Sequence, residues 1–564
     1  VILLVAAVII NSVVISGKGE ESLMEYLTAL YFGVFLSVVL QLIYERFYIN
    51  KTVRLIFAGV TAIAAVIFYL LVHASKEGTE LFTRTSVIFF ILFLAFLWVP
   101  AIRSRFDFNQ SFMAVFKSFF EAVFFNGILF LGIVLIVVAI NGLILPVDRY
   151  HPYEHSANLV FLLLAPVYFL SLIPAYPKEL REEDELYEEK LRKATVPARF
   201  LETLVSYIII PIAVVYTIIL LLYIALHIMG DFWTNNLLEP LLISYSIAVI
   251  MIYLLAARMS NLFAKYFRMV FPKILVPVVL FQTVSSIIKG INEGVTYGRY
   301  YVILFGTFAM IAGILFCILP VRKNGVIVPI LIFLALVSII PPCDAFTVSR
   351  FNQVSRLEAV LKENQMLEGK EIIPNPEISK KDQETIISSV NYLDRFDDTK
   401  KISWLSGYYE SGNFEKTFGF SSFAVDKNDT RYIYISRKDG SLIPITGHDY
   451  LIRLDITSDS GNKSAYEYNK DGVSYGLAIE EPADGMPVMI LKEGEQELVR
   501  FDTTELFDRF MNSETSTVDT GELTFTQENA SAAITVIAQS ISINISESGI
   551  YRYADVYVLV DIKG

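Results

Sequence analysis

Runs of roughly twenty apolar residues recur almost without pause up to Pro341 and then stop. Such a run, wound as a helix, crosses the roughly 30 Å hydrocarbon core of a bilayer. Lipid offers no partner to an unpaired backbone amide, so these runs must be helical. Spans are expected near 1–16, 25–44, 54–73, 85–102, 121–145, 157–175, 203–227, 237–257, 271–289, 299–319 and 325–341. The fold class implied is an α-helical transmembrane bundle of about eleven spans, followed by a β-rich, sandwich-like α+β extracytoplasmic domain. The expected domains are 1–341, polytopic and helical; 342–400, a helical neck; and 401–564, β-rich.

Charge divides at the same place. Residues 342–564 hold 22 Lys and Arg against 37 Asp and Glu, whereas 1–341 hold 24 against 21. A tail this acidic disfavours nucleic acid or anionic lipid as its partner, because both need a cationic surface. Only 18% of the whole chain is charged and 54% is hydrophobic, against about 25% charged in soluble domains. Two cysteines, Cys317 and Cys343, cannot build a disulfide framework for the tail, which must rely on an ordinary apolar core. Val1–Ser16 reads as the remainder of a spanning helix with sequence missing before it, since no basic n-region or A-x-A site marks a signal peptide.

Basic residues set the orientation. One alternating set of loops carries eighteen, including Arg46, Arg54, Arg103, Lys190, Arg192, Arg258, Lys265 and Arg322; the opposite set carries six. The positive-inside rule puts the first set in the cytoplasm. The last span then runs outward, giving a multi-pass protein of the plasma membrane with its C-terminal domain outside. Pro166, Pro211, Pro277 and Pro329 fall within spans, where kinks are expected. Phe108–Phe120, aromatic with interspersed polar residues, is expected to lie along the membrane interface.

In the tail, Ser349–Leu367 reads as a helix with Phe351, Val354, Leu357 and Leu361 on one face. Lys380–Phe396 reads as a second, capped by Ser379, with Ile386, Val390 and Leu393 as its stripe. The period then changes to two. Strands are expected at Arg431–Ser436, Tyr450–Thr457, Gly472–Ile479, Pro487–Leu491, Glu522–Thr526, Ala532–Ala538 and Ala554–Ile562. Turns are expected at Asp439-Gly440, Asp459-Ser460-Gly461, Asp471-Gly472 and Asp484-Gly485. A helix at Thr503–Met511 has Asp502 and Glu505 at capping-box spacing.

Three stretches carry a resemblance: Gly290-Ile-Asn-Glu-Gly-Val-Thr-Tyr-Gly-Arg299-Tyr300-Tyr301, Val348-Ser-Arg-Phe-Asn-Gln-Val-Ser-Arg-Leu357, and Leu204-Val-Ser-Tyr-Ile-Ile-Ile-Pro211. They are similar to the bacterial membrane proteins of the domain of unknown function 4153 family. That family's pattern has a glycine-threonine-arginine-tyrosine signature before a span and a Val-Ser…Gln…Arg-Leu segment opening the tail. Tyr297-Gly298, between Thr296 and Arg299, departs from it. The resemblance implies a bacterial polytopic protein and no reaction.

Candidate chemistry is sparse. His151-Pro-Tyr-Glu154-His155 fits the inverted zinc-protease pattern, but zinc needs imidazoles presented on one helical face, and Pro152 stands between them in a short loop. No metal, cofactor or catalytic residue is expected. The run Lys178–Lys193 reads as a solvated helical loop or a docking helix, with Glu188–Arg192 and Glu189–Lys193 paired one turn apart. The ninth span is the most polar. Gln282, Ser285 and Ser286, with Asn126 in the fifth span, are candidates for a substrate path; ordinary interhelical hydrogen bonding is the plain alternative. Glu239, Glu293, Arg299 and Tyr300 are candidates for an external polar cluster. The middles of the spans hold almost no charge, which argues against a proton pump or a carrier of charged substrate. The favoured reading is a non-enzymatic cell-surface protein whose β-rich domain binds an envelope polymer or a partner protein. The alternative is a permease-like transporter of a neutral or lipidic substrate, with the β-domain as a cap.

Overall fold

The computed structural model describes residues 1–17, 22–75, 78–104, 106–144, 151–176, 185–227, 238–406, 409, 413–422, 431–438, 442–443, 445–457, 465–480, 486–494, 496–511, 517–546 and 549–563. They form two compact units. The first comprises Val1–Ala359 and Ser389–Thr399; the second comprises Val360–Ser388 and Lys400–Gly564.

The helices, in chain order, are α1 (Ile2–Ile15), α2 (Ser22–Phe47), α3 (Lys51–Ala74), α4 (Thr79–Trp98), α5 (Phe108–Leu143), α6 (Pro152–Leu172), α7 (Glu185–Thr195), α8 (Ile210–His227), α9 (Leu238–Ala256), α10 (Leu262–Glu293), α11 (Tyr297–Ile318), α12 (Ile327–Val337), α13 (Ala345–Glu363) and α14 (Lys380–Asp394). Among the described residues, nine helical stretches are long and apolar enough to cross a membrane: α2 to α6, the stretch that ends in α8, and α9 to α11. The first and last expected spans are shorter helices, α1 of 14 residues and α12 of 11, or about 21 and 16 Å at 1.5 Å per residue. Outward-facing Leu55, Leu135 and Ile212 are exposed in the protein alone, as befits helices whose solvent is the bilayer.

Helix α10 runs without a break through Pro272 and Pro277, while two other prolines are preceded by a local device. Val160–Leu164 and Val205–Ile209 are π-helical turns, each ending two residues before a proline, Pro166 and Pro211. Proline lacks an N–H and its ring crowds the carbonyl four residues back; a widened turn relieves that contact without ending the helix. Phe108–Phe120 is not a separate interfacial segment. It is the start of the continuous α5, opened by a capping box in which Asp107 accepts from Gln110 N–H and Gln110 accepts from Asp107 N–H. Asn109, Ser111, Met113 and Ala114 are buried there. Asn109 binds Val321 O and Asn324, and Ser111 binds Leu97 O. These hydrogen bonds are what let a polar-spotted helix bury itself instead of floating at the interface.

In the neck, Leu357 and Leu361 of α13 are buried, but Phe351 is 74% exposed. The buried face runs instead through Phe346, Ser349, Gln353, Leu357 and Leu361, a spacing of three and four that includes two polar residues. Helix α14 buries Ile386, Val390 and Leu393 as expected, and Ser379 Oγ accepts from Asp382 N–H at 3.2 Å.

The second unit holds three sheets. β1 (Leu367–Glu368) pairs with β2 (Glu371–Ile372). A six-stranded sheet has the order β4 (Tyr450–Thr457), β12 (Gly549–Ile562), β11 (Ala532–Ser546), β3 (Arg431–Arg437), β9 (Thr517–Val518), with β10 (Thr524–Glu528) also on β11. Its pairs are antiparallel except β3–β9. A four-stranded antiparallel meander runs β5 (Ala465–Lys470), β6 (Val473–Glu480), β7 (Val488–Glu493), β8 (Gln496–Asp502). One apolar core takes side chains from both larger sheets, among them Ile435, Val536 and Val558 from the first and Leu477, Leu491 and Phe501 from the second.

β11 and β12 run longer than expected. The β11 residues that enter this two-sheet core are Ala532, Ile534, Val536 and Ala538, then Ile541 and Ile543; the parity changes between Ala538 and Ser540, where the pairing with β12 shifts by one residue. A bulge at Gln539 turns both halves to one face of the sheet. Asp471 and Gly472 both have positive φ and close the β5–β6 hairpin, the signature of a type I′ turn. The other three expected turns lie outside the described residues. The expected helix at Thr503–Met511 is a single turn, Thr504–Asp508, in which Asp502 accepts from Thr504 N–H and no capping box forms.

Candidate functional site

Helix α10 changes chemistry halfway along one face. Ala264, Phe267, Phe271, Leu275 and Val278 are buried in the N-terminal half; Gln282, Ser285, Ser286 and Lys289 continue the same face, also buried. A membrane helix tolerates such a stripe only where its polar groups find partners inside the protein. Some do. Ser286 Oγ donates to Glu239 Oε1 on α9 at 2.6 Å, and Thr283 Oγ1 donates to Val279 O at 2.8 Å. Lys289 lies in the field of two carboxylates, Glu239 and Glu293, opposed by Arg299. Gln282 differs. It is 1% exposed, and neither its amide nitrogen nor its amide oxygen has a hydrogen-bond partner among the described residues. An unsatisfied buried amide costs about 1–3 kcal/mol. The stripe therefore ends, at its deepest point, in one donor and one acceptor with unmet demand.

Beyond Lys289 the helix stops at Gly294, whose φ of +89° and ψ of 155° suit glycine alone. The α10–α11 junction is then held by side chains from α13 and α14. Val295 N–H donates to Asn352 Oδ1 at 2.7 Å, and Gln353 Nε2 donates to Val295 O at 3.3 Å. Thr296 caps α11 by accepting from Arg299 N–H. Tyr297 N–H donates to Tyr392 Oη at 3.0 Å, and that hydroxyl donates to Ser349 Oγ at 2.7 Å. Ser389 Oγ donates to Gln353 Oε1 at 3.0 Å. Arg299 wraps back, donating to Gly294 O at 2.6 Å and bridging Glu293 at 3.0 Å. Burial pushes the Tyr392 phenol up and pulls the Arg356 guanidinium down. The two stretches Gly290–Tyr301 and Val348–Leu357, far apart in sequence, thus form one hydrogen-bonded knot.

A second network lies on the same unit. Asp344, fully buried, accepts from Phe346 and Thr347 N–H through Oδ1 and bridges Arg84 at 3.0 Å. Arg84 also pairs with Glu80, Glu80 with Arg350, and Arg350 with Asp398 at 2.5 Å. Sequence reading missed it. The only local signals were the Glu80–Arg84 spacing and an aspartate just before α13.

The expected substrate-path residues separate. Gln282, Ser285 and Ser286 share the α10 face, but Asn126 donates to Ala122 O within its own helix, α5. Of the expected external cluster, Glu239, Glu293 and Arg299 gather around Lys289, with Glu293 paired to Arg299 and Glu239 accepting from Ser286, while Tyr300 points elsewhere and donates to Cys343 O at 2.6 Å. Lys289, Asn352, Gln353, Ser389 and Tyr392 join the arrangement without having been singled out. His151 and His155 do not sit in a plain loop. Pro152 starts α6, its fixed φ and absent N–H suiting a first helical position, and His151 precedes it with Glu154 at 3.6 Å. No group of three or more His, Cys, Asp or Glu placed to hold a metal occurs among the described residues. In the charged run, Glu189 and Lys193 pair at 2.6 Å. Leu191 is buried and Lys117 donates to Lys193 O, so α7 packs onto the bundle. Glu188 lies outside the described side chains.

No curated protein and no solved structure matches the chain. A family model described as "Domain of unknown function (DUF4153)" matches residues 2–367, spanning the nine described helical stretches that are long and apolar enough to cross a membrane and both halves of the knot. With about two-thirds of its length so matched, the chain belongs to the DUF4153 family.

Proposed function

We propose that this is a plasma-membrane protein of about eleven spans, with its acidic β-rich region extracytoplasmic, and that its helical unit is a permease-like carrier of a neutral or lipidic substrate. The Gln282 amide carries this reading: a buried donor–acceptor pair without partners among the described residues, in line with Ser285, Ser286 and Lys289 on one helix face. At the amide itself the demand is for a hydroxyl, amide or water, since Gln282 and the neighbouring Ser285 are neutral. The short α1 and α12 complete the count, and the distribution of basic residues sets the orientation.

Accessibility tests the path without knowledge of the substrate. With Cys317 and Cys343 replaced by alanine, Ser285→Cys on intact cells should react with a small water-soluble methanethiosulfonate, and Ala312→Cys, buried in apolar α11, should not. A solid bundle would leave both unlabelled and sink the carrier reading. In the same background an impermeant thiol reagent should reach Thr446→Cys and not Lys190→Cys; the reverse would overturn the orientation.

The β-rich region supports a second role, binding an envelope polymer or partner protein. Its large apolar side chains include several in the open, Leu442, Ile445, Tyr466 and Tyr551 among them.

A further inference from the structure

We infer that a cavity among α1, α2, α4, α5 and α6 binds an uncharged membrane lipid whose head carries a hydroxyl or carbonyl oxygen. The cavity measures about 480 Å³, within the range of small-molecule sites. Leu4, Phe96 and Ala122 line it as buried residues, and Phe35, Phe119 and Phe161 as exposed ones. It therefore has a floor inside the bundle and a mouth at its surface. The three exposed phenylalanines lie on helices long and apolar enough to cross a membrane, which turns the mouth toward the bilayer. The π-helical turn Val160–Leu164 supplies Phe161 and Leu162 to the wall; such widened turns recur at functional sites. None of these helices carries the Gln282 stripe, so the inference stands apart from the carrier reading.

Two observations select the ligand. The first is a single hydroxyl. Among the described lining residues only Tyr31 brings a polar side-chain group, and its Oη has no hydrogen-bond partner among the described residues. Tyr31 stands six residues beyond Glu25 and fourteen before Glu45 on α2, or about 9 and 21 Å along the axis. That places it well inside a hydrocarbon core roughly 30 Å thick. A hydroxyl at this depth meets neither water nor the ester groups of phospholipids. The oxygen that satisfies it must belong to a molecule apolar enough to sink into the core. The second observation is charge. No lining residue is ionised at neutral pH, so a fatty acid or a phosphate head would enter without a counter-ion. Six of the lining residues are phenylalanine, whose flat apolar rings suit a hydrocarbon chain or a planar head. Long-chain alcohols and isoprenoid quinones share this chemistry, and either can accept from the Tyr31 hydroxyl.

The test uses the full-length protein in phosphatidylcholine nanodiscs with a diazirine-bearing hexadecanol, photolysed and mapped by mass spectrometry. The wild type should be labelled on the cavity segments of α2, α5 and α6. Tyr31→Phe should cut that labelling about fivefold, the effect of one neutral hydrogen bond, with no change in thermal midpoint. Val123→Trp, at an exposed position on the mouth, should abolish it. Displacement by a short-tailed isoprenoid quinone at lower concentration than by unlabelled hexadecanol names a quinone as the source; the reverse order names an alcohol. Labelling of Val123→Trp equal to wild type would overturn the site. Labelling of Tyr31→Phe equal to wild type would overturn the assignment of the head. Equal labelling by a diazirine-bearing phosphatidylcholine would reduce the cavity to a slot for any acyl chain and overturn the inference.

Discussion

Gly294→Ala tests whether the α10–α11 junction is a lock. Glycine stands there at φ +89°, ψ 155°, a region that costs a side-chain-bearing residue about 1–3 kcal/mol. The added methyl would also sit 2.5 Å from Gln353 Nε2, so the Gln353 side chain must swing away. Doing so breaks its bond to Val295 O and the one it accepts from Ser389, each worth about 1 kcal/mol. Strain and lost bonds together give about 3–5 kcal/mol. The assay is denaturant unfolding of full-length protein in mixed micelles, run as a cycle with Gln353→Ala. In that background nothing is left to clash and the bonds are already gone, so Gly294→Ala should cost only the strain. The expected coupling is about 1–2 kcal/mol. A single substitution within about 0.5 kcal/mol of wild type, or a cost unchanged by Gln353→Ala, would refute the lock.

Asp344→Ala removes the α13 cap and leaves Arg84 without its buried partner; a loss of about 3 kcal/mol is expected, and an unchanged unfolding midpoint would contradict it. In the β-rich region, burial alone would raise the Asp449 carboxyl, but hydrogen bonds from Lys470 Nζ and Ile562 N–H outweigh it and hold the group below the usual carboxylate range. A depressed carboxylate contributes stability above its unfolded value, near pH 4, and loses it as pH falls through the folded value. Asp449→Asn should therefore flatten the acid limb of a pH–stability curve, and a limb that stays as steep would count against the pairing. A fragment of residues 400–564 should fold alone with a β circular-dichroism spectrum, because every member of the two-sheet core lies between Ile433 and Ile562; a coil spectrum would show that the core is incomplete.

How much of this was legible depended on whether one residue type implied one role. The spanning helices were legible, since hydropathy over twenty residues leaves lipid no alternative. Strands with unbroken alternation, such as Tyr450–Thr457, were found to the residue. β11 was cut at Ala538 because the bulge at Gln539 reverses the parity of its apolar residues, and a period-two reading ends where the period slips. Strand β5 escaped because Tyr466 and Tyr468 alternate with Glu467 and Asn469 on a sheet edge, too polar for a hydrophobic signal. On α13 the reading took Phe351 for the buried face, since it is the larger apolar group. The structure buries Gln353 instead, because the α10–α11 junction needs its amide. The polar face of α10 was visible as composition, but the orphaned state of Gln282 depends on neighbours no local pattern reveals.

The knot and the stripe answer different needs, which separates their mutational behaviour. Where α10 ends and α11 begins, helix termini leave backbone N–H and C=O groups unpaired at the edge of the bilayer, where water is scarce. Asn352, Gln353, Tyr392 and Arg299 supply those partners one by one, so each truncation there leaves a buried backbone group unmet and lowers stability. Gln282 sits two to three turns deeper and already lacks a partner among the described residues. Replacing it with leucine removes an unmet demand and adds apolar contact, so Gln282→Leu should hold or raise stability while closing the route to methanethiosulfonate at Ser285→Cys. A residue kept for packing would do the opposite and destabilise the bundle when replaced. Opposite signs of stability change at Gln353 and Gln282, two glutamines equally buried, are thus the expected mark of a structural clasp beside a working site.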